Sequence, residues 1–131
     1  MRLFWACVVL CAAPALSWAK TSRELPYGYD PVWSALVRFL RVDEKLKVVE
    51  KDADTGYVLF ELSEGKKTYT GAAELLRANE GRAVRLTLRI EDRPSYMELG
   101  LIDRFEVKLR DELGQPVPPP VPPAPPEEKK E

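Results

Sequence analysis

Between Arg82 and Ile90 the side chains alternate, with Val84, Leu86, Leu88 and Ile90 on one side and Ala83, Arg85, Thr87 and Arg89 on the other. Successive side chains of a strand point to opposite faces, so this pattern demands a sheet with one face buried and the other in water. Tyr57 to Leu62 obeys the same rule, with Val58, Phe60 and Leu62 on one face and Tyr57, Leu59 and Glu61 on the other. Such a sheet needs a cover for its apolar side, and the remaining periodic segments supply it as helices.

Asp30 is a suitable N-cap acceptor, and Pro31 suits the first helical position, where its missing N–H is not needed. Trp33, Leu36, Val37 and Leu40 then line one face of a helix predicted to run to about Val42. Leu46, Val48 and Val49 make Lys45 to Lys51 a strand, joined to the Tyr57 strand by the turn Asp52-Ala53-Asp54-Thr55-Gly56. Lys67 to Ala78 mixes helix formers with Thr68, Tyr69 and Thr70 and reads as a strand leading through Asn79-Glu80-Gly81 to Arg82–Ile90. After the break at Asp92-Arg93-Pro94, Ser95 and Glu98 have capping-box spacing, and Leu99, Ile102, Phe105, Leu109 and Leu113 define the inner face of a long helix ending at Gly114. Trp33, Phe60 and Phe105 are the expected aromatic core. The predicted fold is α+β: a helix, a four-stranded antiparallel meander and a long C-terminal helix, forming a single domain over residues 30–114. Residues 20–29 form a polar lead-in that holds at most a short edge strand around Leu25 to Tyr27, restricted by Pro26.

Both ends of the 131-residue chain fall outside that core. Arg2, the apolar run Leu3 to Leu16 and Ser17-Trp18-Ala19 give the three regions of a secretory signal peptide over 1–19, with cleavage between Ala19 and Lys20. The apolar run is shorter than the roughly 20 residues a membrane-spanning helix needs, so no span is expected after processing. Bulky Leu10 precedes Cys11 where a lipidation signal requires a small residue, so lipid attachment is not expected. At the other end, eight of the twelve residues from Gln115 to Pro126 are proline and Glu127 to Glu131 are all charged. Residues 115–131 read as a disordered proline-rich spacer of polyproline II character, although the P-x-x-P spacings also suit an aromatic groove.

Composition removes several chemistries. Cys7 and Cys11 lie in the segment to be cleaved and the chain has no histidine, so the mature protein lacks disulfides, thiol nucleophiles, Cys/His zinc sites and Ser-His pairs. Cleavage removes one charged residue, Arg2, and takes the formal net charge from −1 to −2, which offers nothing to nucleic acid. Asp54-Thr55-Gly56 matches the short signature of dimeric aspartic proteases, but it sits in a polar turn. Asp52, Asp54 and Gly56 also outline the start of a calcium loop, with Ser63 where the closing glutamate should stand. Neither match yields a catalytic residue, a metal ligand or a cofactor site. Arg85 and Arg89 project from one face of a strand and form a candidate interaction face.

The stretches Asp30-Pro31-Val32-Trp33-Ser34-Ala35-Leu36, Leu46 to Asp52 and Thr55-Gly56-Tyr57-Val58-Leu59-Phe60-Glu61 resemble the opening of the helix-grip domains in an envelope lipoprotein of the outer-membrane β-barrel assembly complex. In that family a tryptophan-bearing helix precedes a strand, an acidic turn with glycine and a second strand. The resemblance implies a helix-grip, TBP-like fold and a non-enzymatic interaction or scaffold role in the bacterial envelope, with another envelope protein as partner. This chain departs from the family in lacking a lipidation cysteine and in having one such domain rather than two. The alternative is a small-ligand carrier using the groove between sheet and helix; a dimeric aspartic protease is the remote third reading. The expected location is periplasmic or secreted. Mass spectrometry of the exported product is expected to find Lys20 as its first residue; a retained Met1–Ala19 segment or a lipid on Cys11 would overturn the signal-peptide reading.

Overall fold

The computed structural model describes residues 21–116. The signal peptide at 1–19, the Ala19/Lys20 site and all but the first two residues of the 115–131 tail lie outside them. Five strands form one antiparallel sheet: β1 (Thr21–Leu25), β2 (Lys47–Asp52), β3 (Tyr57–Glu64), β4 (Lys67–Ala78) and β5 (Ala83–Ile90), in the order β1-β5-β4-β3-β2. Helix α1 (Tyr29–Arg38) continues into a π-helical turn, Phe39–Asp43, and helix α2 (Ser95–Leu113) follows β5. The chain starts at one edge, crosses through α1 to the other, and returns strand by strand until β5 lies beside β1. Both helices cover the same side, in a helix-grip arrangement.

The sheet therefore has five strands where the sequence predicts four. The first strand is Thr21–Leu25, upstream of the predicted Leu25–Tyr27, and its inward positions are Thr21, Arg23 and Leu25, which carry no apolar alternation to read. Its partner is 59 to 67 residues away, with Thr21 opposite Leu88 and Leu25 opposite Val84. The segment 67–78 is a strand, as expected.

Val58, Phe60, Ala73, Leu75, Val84, Leu86 and Leu88 make the inner face of the sheet, all at most 1% exposed. From above, Val32, Ala35, Leu36, Phe39 and Leu40 pack down, with Leu101, Ile102, Phe105 and Leu109 of α2 beside them. The rings of Phe39 and Phe105 meet at 5.2 Å. The π turn closes with Glu44 N–H donating to Phe39 O at 2.9 Å, which lets Phe39 and Leu40 both face the core.

Four sequence expectations are corrected here. Helix α1 begins two residues early, with extended Gly28 as N-cap and no side-chain cap, so Asp30 sits in the first turn, where its charge suits the helix dipole. The buried arc is centred on Val32, Leu36 and Phe39, with Ala35 and Leu40 on either side, and leaves Trp33 half-buried at its edge, stacked on Tyr29 with centroids 6.2 Å apart. On α2, Leu99 and Leu113 are 42% and 38% exposed, while Leu101 and Glu98 face inward. The capping box does not form: Pro94 is the N-cap, and Glu98 instead accepts the Ile90 N–H at 2.8 Å and the Thr21 hydroxyl, joining α2, β5 and β1.

Gly71 lies opposite Phe60 on the inner face, and a β-carbon there would stand 2.3 Å from the ring. The phenyl group occupies the space the glycine leaves empty. Gly71→Ala is expected to destabilise the domain by about 1–3 kcal/mol, the usual cost of overpacking, lowering the thermal midpoint by about 4–8 °C per kcal/mol for a domain of this size. A midpoint that stayed level or rose would show that Phe60 does not rest on Gly71.

Candidate functional site

With the helices on one side, the other side of the sheet faces solvent. Antiparallel register sets its side chains in rows: Asp52, Tyr57, Glu74, Thr87 and Ser22 in one, Glu50, Leu59, Ala72 and Arg89 in the next. In the third, Lys47, Glu61 and Thr70 are followed by Glu91, whose N–H donates to Thr70 O at 2.9 Å. Gly71 and Ala72 are small and sit mid-sheet, while larger side chains stand around them. The result is an open hollow of about 260 Å³, with Leu59 and Ala72 in its floor, Tyr57 and Glu74 at one end and Glu91 at the other.

Arg85 and Arg89, expected to share a face, both lie on this outer side. Arg89 lines the hollow and is engaged by other groups of the chain. Arg85 stands outside it, between Leu76 on β4 and Glu24 on β1. The other lining residues were not legible as a site. Tyr57, Glu74 and Thr87 come from three strands, and their shared row depends on register. The alternation in β3 and β5 assigned Tyr57, Leu59 and Thr87 to outward positions, which was the available signal.

The Asp52–Gly56 turn is built for chain reversal. The Asp52 carboxylate accepts the N–H groups of Asp54 at 2.9 Å and Thr55 at 3.3 Å. The amides of Thr55 and Asp54 hold that carboxyl below the usual carboxylate range. Gly56 has φ +72°, and a β-carbon on it would meet the Leu75 carbonyl oxygen at 2.1 Å. That carbonyl's residue also donates its N–H to Gly56 O at 2.7 Å, so the glycine is fixed by backbone geometry. Asp54 itself is exposed in the turn. Beneath it, Tyr29 donates its hydroxyl to Ala53 O, and burial pushes the phenol pKa up against the opposing effect of Arg77, which lies 4.0 Å over the ring.

A second cluster ties the β3–β4 hairpin to the start of α2. Arg93 pairs with Glu64 at 2.6 Å and lies over the Tyr69 ring at 4.8 Å. Along the seam between the π turn and α2, Lys108 pairs with Asp43 at 3.0 Å and Arg104 with Glu44 at 2.6 Å. These surface pairs fix orientation and add little to stability.

The space between sheet and α2 is filled by Phe60, Leu75, Ile102, Phe105 and Leu109, so the hollow and the packed groove lie on opposite faces. No helix among the described residues is long and apolar enough to cross a membrane.

The chain matches no protein-family model and no curated protein sequence. Among solved structures it is similar to an uncharacterised protein from Bacillus thuringiensis, with a TM-score of 0.50 and 10% identity over 74% of this chain and 98% of that one. The fold alone is shared. A START superfamily protein from Mycobacterium smegmatis matches with a TM-score of 0.33 and 10% identity over 73% of this chain and 93% of that one. A protein from Thermus thermophilus matches with a TM-score of 0.30 and 14% identity over 72% and 90% respectively.

The Asp52 geometry has a pH signature. Its folded pKa is depressed, so its stabilisation is present above the unfolded value of about 3.9 and is lost as pH falls through the lower folded value. Asp52→Ala is expected to melt below the unaltered protein at neutral pH, with the gap closing as pH drops below about 3.9. Paired melts across that range check it; a gap that did not change with pH would exclude the carboxylate as its source.

Proposed function

We propose that this chain is an exported, non-enzymatic binding domain of the bacterial envelope, engaging another envelope protein through the outer face of its sheet. The observation that carries this reading is the division of the sheet: α1 and α2 use up the inner face, while the outer face holds the hollow together with half-exposed Tyr57 and Leu76. Aromatic side chains in a pocket rimmed by polar groups are the usual anchors of protein interfaces. The signal-peptide pattern at 1–19 supports export, and the exposed, turn-bound Asp54 supports a structural role for the Asp-Thr-Gly sequence.

One observation favours a second reading, a small-ligand carrier. A hollow of about 260 Å³ lies just below the usual range for ligand sites, about 300–1,000 Å³. Cargo in the outer hollow needs no rearrangement. Cargo between sheet and helix requires α2 to lift from the sheet and Phe105 to part from Phe39.

A photo-crosslinking amino acid at position 72, compared with one at position 107 on the exposed side of α2, separates these in cells exporting the full chain. A protein adduct from 72 and none from 107 is the expected outcome. An adduct from 107 alone would move the interface to α2, and a small molecule co-purifying without any adduct would favour the carrier. Asp54→Asn is expected to leave the adduct unchanged; acid-pH peptidase activity lost on that substitution would overturn the non-enzyme reading.

A further inference from the structure

We infer that the outer-face hollow receives a single arginine or lysine side chain presented by the partner. This deepens the outer-face reading and rests on it. The decisive pair is Tyr57 and Glu74, an exposed aromatic ring and a carboxylate directly opposed on neighbouring strands and both lining the hollow. Directly opposed residues have β-carbons about 4.5–5.5 Å apart, so ring and carboxylate address the same small volume. Tyr57 is 37% exposed and Glu74 is also open to solvent.

A cation placed over Tyr57 is attracted by the ring face and by the Glu74 carboxylate, while Asp52 holds the turn amides outside the hollow. The apolar floor explains why the cation should sit on a side chain. Leu59 and Ala72 form the next row, about 6.7 Å along the strands, where the methylene stem of an arginine or lysine would lie. Glu50, opposite Leu59, extends the negative edge toward β2. Glu74 and Glu91 outnumber Arg89, which is engaged within the chain, so the charged lining of the hollow is acidic on balance. The volume of about 260 Å³ accommodates one such side chain.

The test titrates the isotopically labelled mature chain with a blocked Gly-Ser-Arg-Ser-Gly peptide and with the same peptide carrying citrulline, the neutral isostere of arginine. Amide shifts at Leu59, Ala72 and Thr87 are expected to saturate with the arginine peptide, and affinity to fall about fivefold or more with citrulline. Glu74→Gln, isosteric and at an exposed position, should lower arginine-peptide affinity by about the same factor. Tyr57→Leu keeps apolar area but loses the ring face, and should also weaken binding. If that variant unfolds, Glu74→Gln decides alone. Equal affinity for the two peptides, or affinity unchanged in Glu74→Gln, would overturn the proposal. A position-72 adduct with a failed titration removes the cation receptor and leaves the outer-face interface standing. A successful titration without any adduct keeps the receptor and removes the protein-partner reading.

Discussion

Ile102, Phe105 and Leu109 have no exposed surface, because α2 lies directly on the apolar side of β5 and β1, beside α1. Without that contact the inner face would present Phe60, Leu75, Val84 and Leu86 to water, at about 25 cal/mol for each Å² of apolar area exposed. Glu98 fixes the angle at which the helix arrives. Its carboxylate takes up the Ile90 amide at the end of β5 and the Thr21 hydroxyl on β1, so the start of α2 is tied to two adjacent strands. A buried carboxylate is tolerated there because both of its oxygens have donors.

Holding α2 in that way determines where recognition can occur. Arg23 of β1 pairs with Asp103 and Glu106 on α2, and Lys108 and Arg104 bind the other flank of the helix to the π turn. The helix is thus held from both sides. Opening the groove beneath it would break these pairs and uncover the core together, whereas the outer face is available with no rearrangement. The edges of the sheet are less inviting: β2 carries a bulge at Val49 between Lys47 and Lys51, a combination that discourages strand addition.

Much of this architecture was legible in the chain. The alternation of Val84, Leu86, Leu88 and Ile90 gave β5 its inner face, and the strand over 67–78 was read in spite of its helix formers. Errors arose where local pattern was silent. Strand β1 has Leu25 as its one buried apolar residue, and its existence depends on pairing with β5. Trp33 looked like core because its spacing fits Leu36 and Leu40, but Val32, Ala35 and Phe39 are buried with them and centre the face away from it, leaving Trp33 at the flank against Tyr29. Glu98 has the spacing of a capping box, but folding offered it the Ile90 amide, a buried donor with greater need of a partner.

The candidate site shows the same division. Sequence alone determined that Tyr57, Leu59, Arg85, Thr87 and Arg89 point away from the core, since alternation along a strand is a local property of the backbone. It also determined that residues 21–116, which contain neither cysteine nor histidine, must rely on shape and on groups such as carboxylate, guanidinium and aromatic side chains for any recognition. Only the tertiary structure decided that Tyr57 stands between Asp52 and Glu74, and that Ala72 leaves a hollow between Leu59 and Arg89. Those neighbours are set by the pairing of strands, and register is fixed by which side chains the helices bury on the opposite face.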